Sequence, residues 1–176
     1  VLKLKGRVLP LTDDKVTLMG KMKDNKIIEG EHNITKYPGI IEEVYYKKTP
    51  KINEEVLISI RNADLIILSM GSLYTSVIPN LLSREILNEI DNSKSKIMYV
   101  CNMMTQPGET DGYKVSDHIN TLNHYLGNKK ISVVLANKGS IDKEILKKYE
   151  TKEQKDQVML DRKNIKNVKI IASNYV

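Results

Sequence analysis

The first fifty residues carry short runs of apolar and polar positions that are typical of β-strands. Two such runs, Lys15–Met22 and Lys26–Asn33, flank a polar turn at residues 23–25, which predicts a hairpin. Residues 44–46 follow a Pro-Gly pair and are expected to add a third strand. The pattern therefore predicts a small antiparallel β layer within residues 1–50.

From residue 51 onward, helical patterns alternate with short apolar runs. Asn53 is a typical helix N-cap, because its side chain can accept a backbone hydrogen bond. The predicted helices are 53–62, 77–90, 115–126 and 142–148, and the predicted strands are 65–68, 96–101, 131–136, 157–160 and 168–172. The first three of these strands do not alternate apolar with polar positions, as expected for strands of a parallel sheet that is covered on both faces. We therefore predict an α/β, Rossmann-like fold with a mostly parallel sheet between helices, and expect strand 65–68 to be central.

Length and composition fit one soluble domain. The chain has 176 residues, 40% hydrophobic and 28% charged, and residues 1–176 are expected to form a single α/β domain. No apolar run approaches the roughly 20 residues that a membrane-spanning helix needs, so no membrane partner is expected. The single cysteine, Cys101, ends an apolar strand and is expected to pack in the core, which fits a reducing compartment.

The net charge of +6 does not by itself predict a nucleic-acid-binding protein. The lysines are dispersed among acidic residues, and the chain has no Phe or Trp to provide stacking platforms. The basic balance instead favours small anionic ligands.

A first candidate site follows strand 65–68. The segment 69–76 contains Gly71, where the backbone can approach a ligand, and the hydroxyl groups of Ser72, Tyr74 and Thr75. Backbone N–H groups and hydroxyls at a helix start can hold a phosphate. The segment lacks the lysine of a Walker loop and the spacing of the dinucleotide-binding glycine motif. A plain strand-to-helix turn, with Ser and Thr as caps, is the alternative interpretation.

A second candidate site follows strand 96–101. The loop 102–112 holds six polar side chains: Asn102, Thr105, Gln106, Glu109, Thr110 and Asp111. Amide and hydroxyl groups can bind a base or sugar, and Glu109 or Asp111 could hold Mg²⁺ together with ligand phosphates. A polar surface turn set by Pro107 and Gly108 is the alternative.

Other common catalytic patterns are not found. His118 and His124 are six residues apart, which does not match a helical zinc pair, so no metal site is predicted. His118 is expected to be a surface or packing residue. The chain contains no Gly-x-Ser-x-Gly elbow, so a hydrolase triad is not predicted.

Three stretches resemble the YvcK group of the YvcK/CofD-like family, also called gluconeogenesis factors. They are Gly6–Pro10, Gly71–Leu81 and Val100–Tyr113, in this order and at similar spacing. The resemblance implies a cytoplasmic protein with a Rossmann-like core that binds a nucleotide-containing ligand and self-associates. It assigns ligand binding to the two candidate sites, namely Gly71, Ser72, Tyr74, Thr75 and Asn80 in the first and Asn102, Thr105, Gln106, Glu109 and Asp111 in the second.

The chain also departs from the pattern of that family. Ser69 and Met70 precede Gly71 where family members usually show Gly-Pro. The glycine-rich loop and the Asp-Asp-Gly-Gly-Ser segment of the family's N-terminal half are absent, so the chain is expected to be the C-terminal part of a longer nucleotide-binding protein.

Three functions follow as hypotheses. The first is a binding protein for nucleotide sugars such as UDP-N-acetylglucosamine, required for cell shape and wall synthesis during gluconeogenic growth, with no certain cofactor. The second is a transferase of the CofD type, which would use Mg²⁺ to move a phospholactate-type group from a guanylylated donor to a deazaflavin. The third is a structural interaction domain. The sequence leaves open whether the protein is an enzyme.

Overall fold

The computed structural model describes residues 5–153 and 155–175, which form two β-sheets with flanking helices. The strands are β1 (Leu18–Met22), β2 (Ile27–Glu29), β3 (Ile41–Tyr46), β4 (Leu65–Leu68), β5 (Lys96–Val100), β6 (Ile131–Asn137) and β7 (Lys169–Ser173). The helices are α1 (Glu31–Lys36), α2 (Glu54–Arg61), α3 (Arg84–Asn92), α4 (Val115–Tyr125) and α5 (Lys143–Glu153). The predicted α/β class, with a parallel sheet and a small antiparallel layer, is confirmed.

The larger sheet has the strand order β4-β5-β6-β7, and all three neighbouring pairs are parallel. Each crossover between these strands contains a helix, as parallel connections require. Its inner strands are the most apolar part of the core, where Ile97, Tyr99 and Val134 are almost completely buried. Because the strands are parallel, their carboxyl ends lie at one edge of the sheet, beside the loops that follow them.

The smaller sheet has the order β2-β1-β3, and both of its pairs are antiparallel. The turn between β1 and β2 contains Asn25 at φ 66°, a left-handed conformation that Asn tolerates. The predicted hairpin and third strand are therefore confirmed. The second predicted strand, 26–33, is too long, because the chain turns at Gly30 (φ 89°) and continues as α1.

The side chain of Tyr125, at the end of α4, covers the outer edge of β3. The Val44 N–H donates a hydrogen bond of 2.9 Å to the hydroxyl oxygen of Tyr125, at the end of α4. The Tyr46 hydroxyl donates to the backbone oxygen of Pro79 at 3.1 Å. These bonds attach the antiparallel sheet to the segments that follow β4 and β5.

The expectation that strand 65–68 is central is wrong for the part of the chain that the structure describes. There β4 is the terminal strand of its sheet, and Leu65 and Ile67 are half-exposed. Its non-alternating pattern led to that expectation, since such a pattern normally indicates neighbours on every side. The strand predicted at 157–160 is reduced to a single bridge between Met104 and Gln157.

Helix α2 begins where its predicted cap places it, whereas α3 begins later than predicted. The side chain of Asn53 accepts a hydrogen bond from the Glu55 N–H at 3.0 Å, so α2 starts as expected. Ser83 caps α3 in the same way, which means that the helix predicted over 77–90 is regular only from residue 84. Among the described residues, no helix is both long and apolar enough to span a lipid bilayer.

Candidate functional site

The loops that follow β4 and β5 lie side by side. Leu68 and Tyr99 are paired in the parallel register, so both strands end at the same edge of the sheet. Just beyond them, the Asn102 side-chain N–H donates a hydrogen bond of 2.9 Å to the backbone oxygen of Gly71. The two polar segments singled out from the sequence are therefore directly joined.

The first loop leads into a short π-helical turn, Leu73–Val77, rather than a regular helix. The N–H groups of Ser76 and Val77 both donate to the Ser72 backbone oxygen, at 2.9 and 3.0 Å. A 3-10 turn containing Pro79 follows, and proline cannot donate the hydrogen bond that an α-helix would need there. Single π-helical turns are frequent at functional sites.

The carboxylate of Glu109 connects the second loop to this π-helical turn. Its Oε2 accepts a hydrogen bond from the Tyr74 N–H at 3.0 Å, and its Oε1 accepts from the Thr75 hydroxyl at 2.8 Å. The Thr35 hydroxyl on α1 and the Gln106 side-chain N–H also donate to Oε1, each at 3.0 Å. Because Glu109 is buried and both oxygens are bound, it holds the loops together and offers no free oxygen to a metal ion.

An internal anion therefore occupies the start of the π-helical turn. The sequence suggested that backbone N–H groups at 71–76 could hold a ligand phosphate, and the N–H of Tyr74 is already bound to Glu109. A phosphate at this loop would instead meet Gly71 and the hydroxyl of Ser72, which makes no capping hydrogen bond.

Other predicted site residues form hydrogen bonds to backbone groups of nearby segments. The Thr105 hydroxyl accepts from the Asp156 N–H at 2.8 Å, and the Thr105 N–H donates to the Asp156 backbone oxygen at 2.8 Å. The Asn80 side-chain N–H donates to the backbone oxygen of Ser76, in the preceding π-helical turn, at 2.8 Å. Asp111, which is exposed, accepts from the Gly108 N–H at 2.8 Å. Thr105 and Asn80 thus have structural roles, whereas Asp111 also faces solvent.

One polar atom at the junction of the loops has no protein partner. The Asn102 side-chain oxygen is buried and lacks a hydrogen bond within the described part of the chain. Its orientation is fixed, because the amide N–H of the same side chain must face the Gly71 oxygen. The Asn102 oxygen is therefore a buried acceptor without a partner, and an acceptor complements an N–H or O–H group rather than a phosphate oxygen.

A group of ring side chains, most of them buried, packs against the two loops, and the sequence did not predict it. The hydroxyls of Tyr74 and Tyr113 are hydrogen-bonded at 2.9 Å. The His118 ring meets Tyr113 edge-on, with centroids 5.5 Å apart, and its Nδ1 lies 3.0 Å from the Tyr99 hydroxyl. Burial lowers the pKa of His118 to about 4, so the ring is neutral at physiological pH. Of the two alternatives for His118, a surface residue or a packing residue, the structure supports the second, since the residue is fully buried.

A cavity of about 380 Å³ opens between the second loop and the small antiparallel sheet. Its walls include Tyr74, Asp111 and Tyr113 from the loops, and Lys23 and Ile40, which directly follow β1 and precede β3. The volume falls within the range of small-molecule sites. Lys23 is the residue that sequence reasoning missed here, because only the fold brings the β1–β2 turn to the loops.

The described residues contain no group of three or more His, Cys, Asp or Glu side chains that could hold a metal ion. Cys101 is buried, as expected, and burial raises its pKa to about 12.

Comparison with known proteins gives consistent matches over most or all of the chain. A family profile described as 2-phospho-L-lactate transferase CofD matches residues 1–176. The putative gluconeogenesis factor of Thermotoga maritima is 44% identical over 176 residues, which cover 100% of this chain and 55% of that protein. The gluconeogenesis factor of Bacillus subtilis is 42% identical over 153 residues, which cover 85% of this chain and 48% of that protein.

The fold is similar to that of a solved relative as well. A crystal structure of a member of the UPF0052 family from Bacillus halodurans superposes with a TM-score of 0.94 at 38% identity, covering 99% of this chain and 57% of that one. The chain therefore spans about half the length of the curated relatives that it matches.

Proposed function

We propose that this chain, which belongs to the CofD family together with the gluconeogenesis factors, binds a nucleotide sugar at the joined loops that follow β4 and β5. The observation that carries the proposal is the hydrogen bond between Asn102 and Gly71, which brings the two polar loops to one edge of the parallel sheet. In open α/β sheets, ligands bind outside the carboxyl ends of the strands.

The polar groups of the two loops that have no assigned protein partner complement the diphosphate, sugar and base of such a ligand. Gly71 and Ser72 would face the diphosphate, because a glycine permits close approach and a hydroxyl can donate to phosphate. The unpartnered oxygen of Asn102 would accept from a ligand N–H or O–H group. The cavity beside Tyr113 and Asp111 would take the sugar or the base, since carboxylate and hydroxyl groups match sugar hydroxyls.

A binding function requires no catalytic residue. Ligand binding without turnover is what a regulatory protein needs. We propose a cytoplasmic sensor of nucleotide-sugar supply, of the type that supports cell shape and wall synthesis during gluconeogenic growth. UDP-N-acetylglucosamine is the ligand that we put first, because the resemblance to the YvcK group implies it, and its acetamido N–H is one of the donors that could meet the unpartnered Asn102 oxygen.

The match to the CofD profile supports a second candidate function. In that case the same loops would hold a guanylylated phospholactate-type donor, and the hydroxyl of a deazaflavin acceptor would attack the phosphorus of the phospholactyl group. The bond to the guanine nucleotide would break, and the nucleotide would leave with the bridging oxygen. Mg²⁺ would arrive with the donor phosphates, and the exposed carboxylate of Asp111 is the group in the second loop that could contact it.

Equilibrium dialysis with radiolabelled UDP-N-acetylglucosamine tests the first function. We expect saturable retention by the folded 176-residue chain, with the sugar nucleotide recovered unchanged. Release of a guanine nucleotide, in a parallel assay with the guanylylated donor, deazaflavin and Mg²⁺, would favour the transferase. If a folded chain neither retains nor converts either ligand, both proposals fail and a structural interaction domain is favoured.

A further inference from the structure

A second cavity, of about 350 Å³, lies between the outer edge of β3 and the helices α3 and α4. Two tyrosines bridge this gap. The Tyr125 side chain reaches from α4 to the Val44 N–H, and the Tyr46 side chain reaches from β3 to the backbone oxygen of Pro79. The cavity shares no lining residue with the one beside the two polar loops, so it is a separate site.

Aromatic side chains form much of the wall of this cavity. Tyr45, Tyr46 and Tyr125, three of the nine tyrosines of the chain, line it together with His124. The rings of His124 and Tyr125 meet edge-on, with centroids 5.5 Å apart. Because the hydroxyls of Tyr46 and Tyr125 already bind the backbone, a ligand would mainly meet the faces of the rings. The face of an aromatic ring carries negative electrostatic potential and attracts cations.

Polar acceptors accompany these rings. Glu43 lines the cavity, and its carboxylate makes no hydrogen bond or ion pair within the described part of the chain. Burial and, to a smaller extent, the charge of Glu43 raise the pKa of Tyr125 to about 12, so the carboxylate lies near that side chain. The C=O of Val44 faces the same side as its N–H, because both groups of a residue point the same way in an antiparallel strand.

The protein itself supplies no cation to this site. Among the described residues, none of the Lys and Arg side chains lines the cavity, although the chain contains 28 of them. Lys21 faces Glu43 in the strand register, but its ammonium lies 2.9 Å from the carboxylate of Glu42. Lys47, directly after β3, is bound to Glu29 at 2.9 Å. A cation that complements the site therefore comes from a ligand.

We propose that this cavity binds a guanidinium group, and we call it the tyrosine pocket (residues 43–46, 49, 81, 82, 87, 124 and 125). A guanidinium group is planar, stacks on aromatic faces, and has five N–H donors and no acceptor. Its plane lies against the tyrosine rings, and its N–H groups donate to the Glu43 carboxylate and the Val44 oxygen. Leu82 and Leu87 provide an apolar wall for the aliphatic chain that carries the group.

Other ligands fit the tyrosine pocket less well. A lysine ammonium has the charge but is strongly hydrated and cannot stack on a ring. A phosphate or carboxylate would meet the unpaired charge of Glu43 and no donor from Lys or Arg. Free arginine and an arginine side chain of a polypeptide both present the guanidinium group, so the experiment includes both.

Titration followed by NMR tests the proposal. Amide spectra of the 176-residue chain would be recorded with N-acetylarginine amide, with the lysine derivative, and with the citrulline derivative, in which a neutral urea replaces the guanidinium. We expect the amide signals of Val44, Tyr46 and His124 to shift saturably with the arginine probe, with a Kd of about 1 mM or lower. The lysine probe should bind about fivefold more weakly, and the citrulline probe at least about tenfold more weakly.

Variants separate the contributions of charge and ring. Glu43→Gln should weaken binding of the arginine probe at least about fivefold, because a charge-assisted hydrogen bond is lost. Glu31→Gln removes the same charge at an exposed position on α1, outside the pocket, and is the matched control. Tyr46→Phe keeps the ring and should retain the affinity, whereas Tyr46→Leu should lose it. Melting curves show whether each variant is folded, and the exposed Glu43→Gln decides the question if Tyr46→Leu is not.

A titration with free arginine identifies the source of the group. Tighter binding of N-acetylarginine amide indicates a polypeptide side chain, tighter binding of free arginine indicates the amino acid, and both results support a guanidinium site. The proposal is overturned if the citrulline probe binds as tightly as the arginine probe, or if the three amide signals do not shift saturably up to about 50 mM. It is also overturned if Glu31→Gln weakens binding as strongly as Glu43→Gln. None of these results depends on whether UDP-N-acetylglucosamine binds, because the two cavities share no residue.

Discussion

The carboxylate of Glu109 accepts a hydrogen bond from the backbone N–H of Tyr74 at 3.0 Å, so one candidate loop supplies the anion at the start of the other. Anions are stabilised at such positions by the unpaired N–H groups of the first helical turn. Because this hydrogen bond stabilises its carboxylate, Glu109 can be buried next to the loop proposed to bind phosphate.

Replacing this carboxylate with an amide should destabilise the fold. Glu109→Gln keeps the shape but places an N–H₂ group among the donors of Tyr74, Thr75 and Thr35, so at least one buried donor loses its acceptor. We expect the free energy of unfolding, measured by urea denaturation, to fall by about 2–3 kcal/mol. The exposed Asp111→Asn is the control and should change it by less than about 1 kcal/mol. Equal effects of the two variants would contradict the role given to Glu109.

Gly108 and Gly112 form a second matched pair. Both have positive φ, at 78° and 69°, so alanine is strained at either position. A Cβ at Gly108 would also overlap the backbone oxygen of Thr35, whereas a Cβ at Gly112 would meet nothing within 4 Å. Gly108→Ala should therefore lower the melting temperature clearly more than Gly112→Ala, with a difference of about 1–3 kcal/mol in unfolding free energy. A loop free to move away from α1 would instead tolerate both substitutions equally.

His118 should make the stability depend on pH. Its pKa is lowered to about 4 in the folded chain and is about 6.5 when unfolded, so the unfolded state binds more protons between these values. Stability from this residue is complete above pH 6.5 and is lost as the pH falls toward 4. The change from pH 7 to pH 5 should be about 2 kcal/mol in urea denaturation. His118→Gln should flatten this dependence, and His124→Gln, at an exposed position, should not.

The thiol of Cys101 should be unreactive in the folded chain. Burial raises its pKa to about 12, so hardly any thiolate forms at pH 8. We expect no reaction with Ellman's reagent over an hour in buffer and one thiol per chain in denaturant. Asn120→Cys adds a thiol at an exposed helical position and should give one reactive group in buffer. Rapid labelling of Cys101 in the wild-type chain would mean that the end of β5 opens readily.

The proposed ligand contacts can be tested residue by residue. Ser72→Ala should weaken retention of UDP-N-acetylglucosamine by about tenfold with little change in stability, because the hydroxyl makes no capping hydrogen bond. Asn102→Ala should weaken it at least as much and also cost about 1 kcal/mol of stability, since the bond to Gly71 is lost. Asn92→Ala, at an exposed position on α3, is the control for both. Unchanged affinity in both site variants would place the ligand elsewhere.

Much of the fold follows from local pattern. The cap at Asn53 marks the start of α2 correctly, and the apolar runs predicted as strands at 65–68, 96–101 and 131–136 correspond to β4, β5 and β6. These features are readable because they depend on neighbours within a few residues. The position of β4 is not readable in this way, since strand order depends on contacts distant in sequence.

The candidate site shows the same division. The sequence predicts that polar loops follow β4 and β5, and a parallel sheet brings such loops together. It does not predict that Glu109 turns inward, because its donors include Thr35 on α1, a helix that the sequence did not predict. Nor does it predict the Tyr113–His118 contact, which joins a loop to a helix and has no periodic pattern.

The hydroxyl of Tyr125 occupies the place that a further strand would take beside Val44. A side chain that ends a sheet leaves no template on which another chain can grow, so this rim of the molecule is protected from edge-to-edge aggregation. The same bond links β3 of the small sheet directly to the end of α4. A ligand that shifts α4 would therefore also displace the Tyr125 hydroxyl from Val44, and so alter the edge of the small sheet.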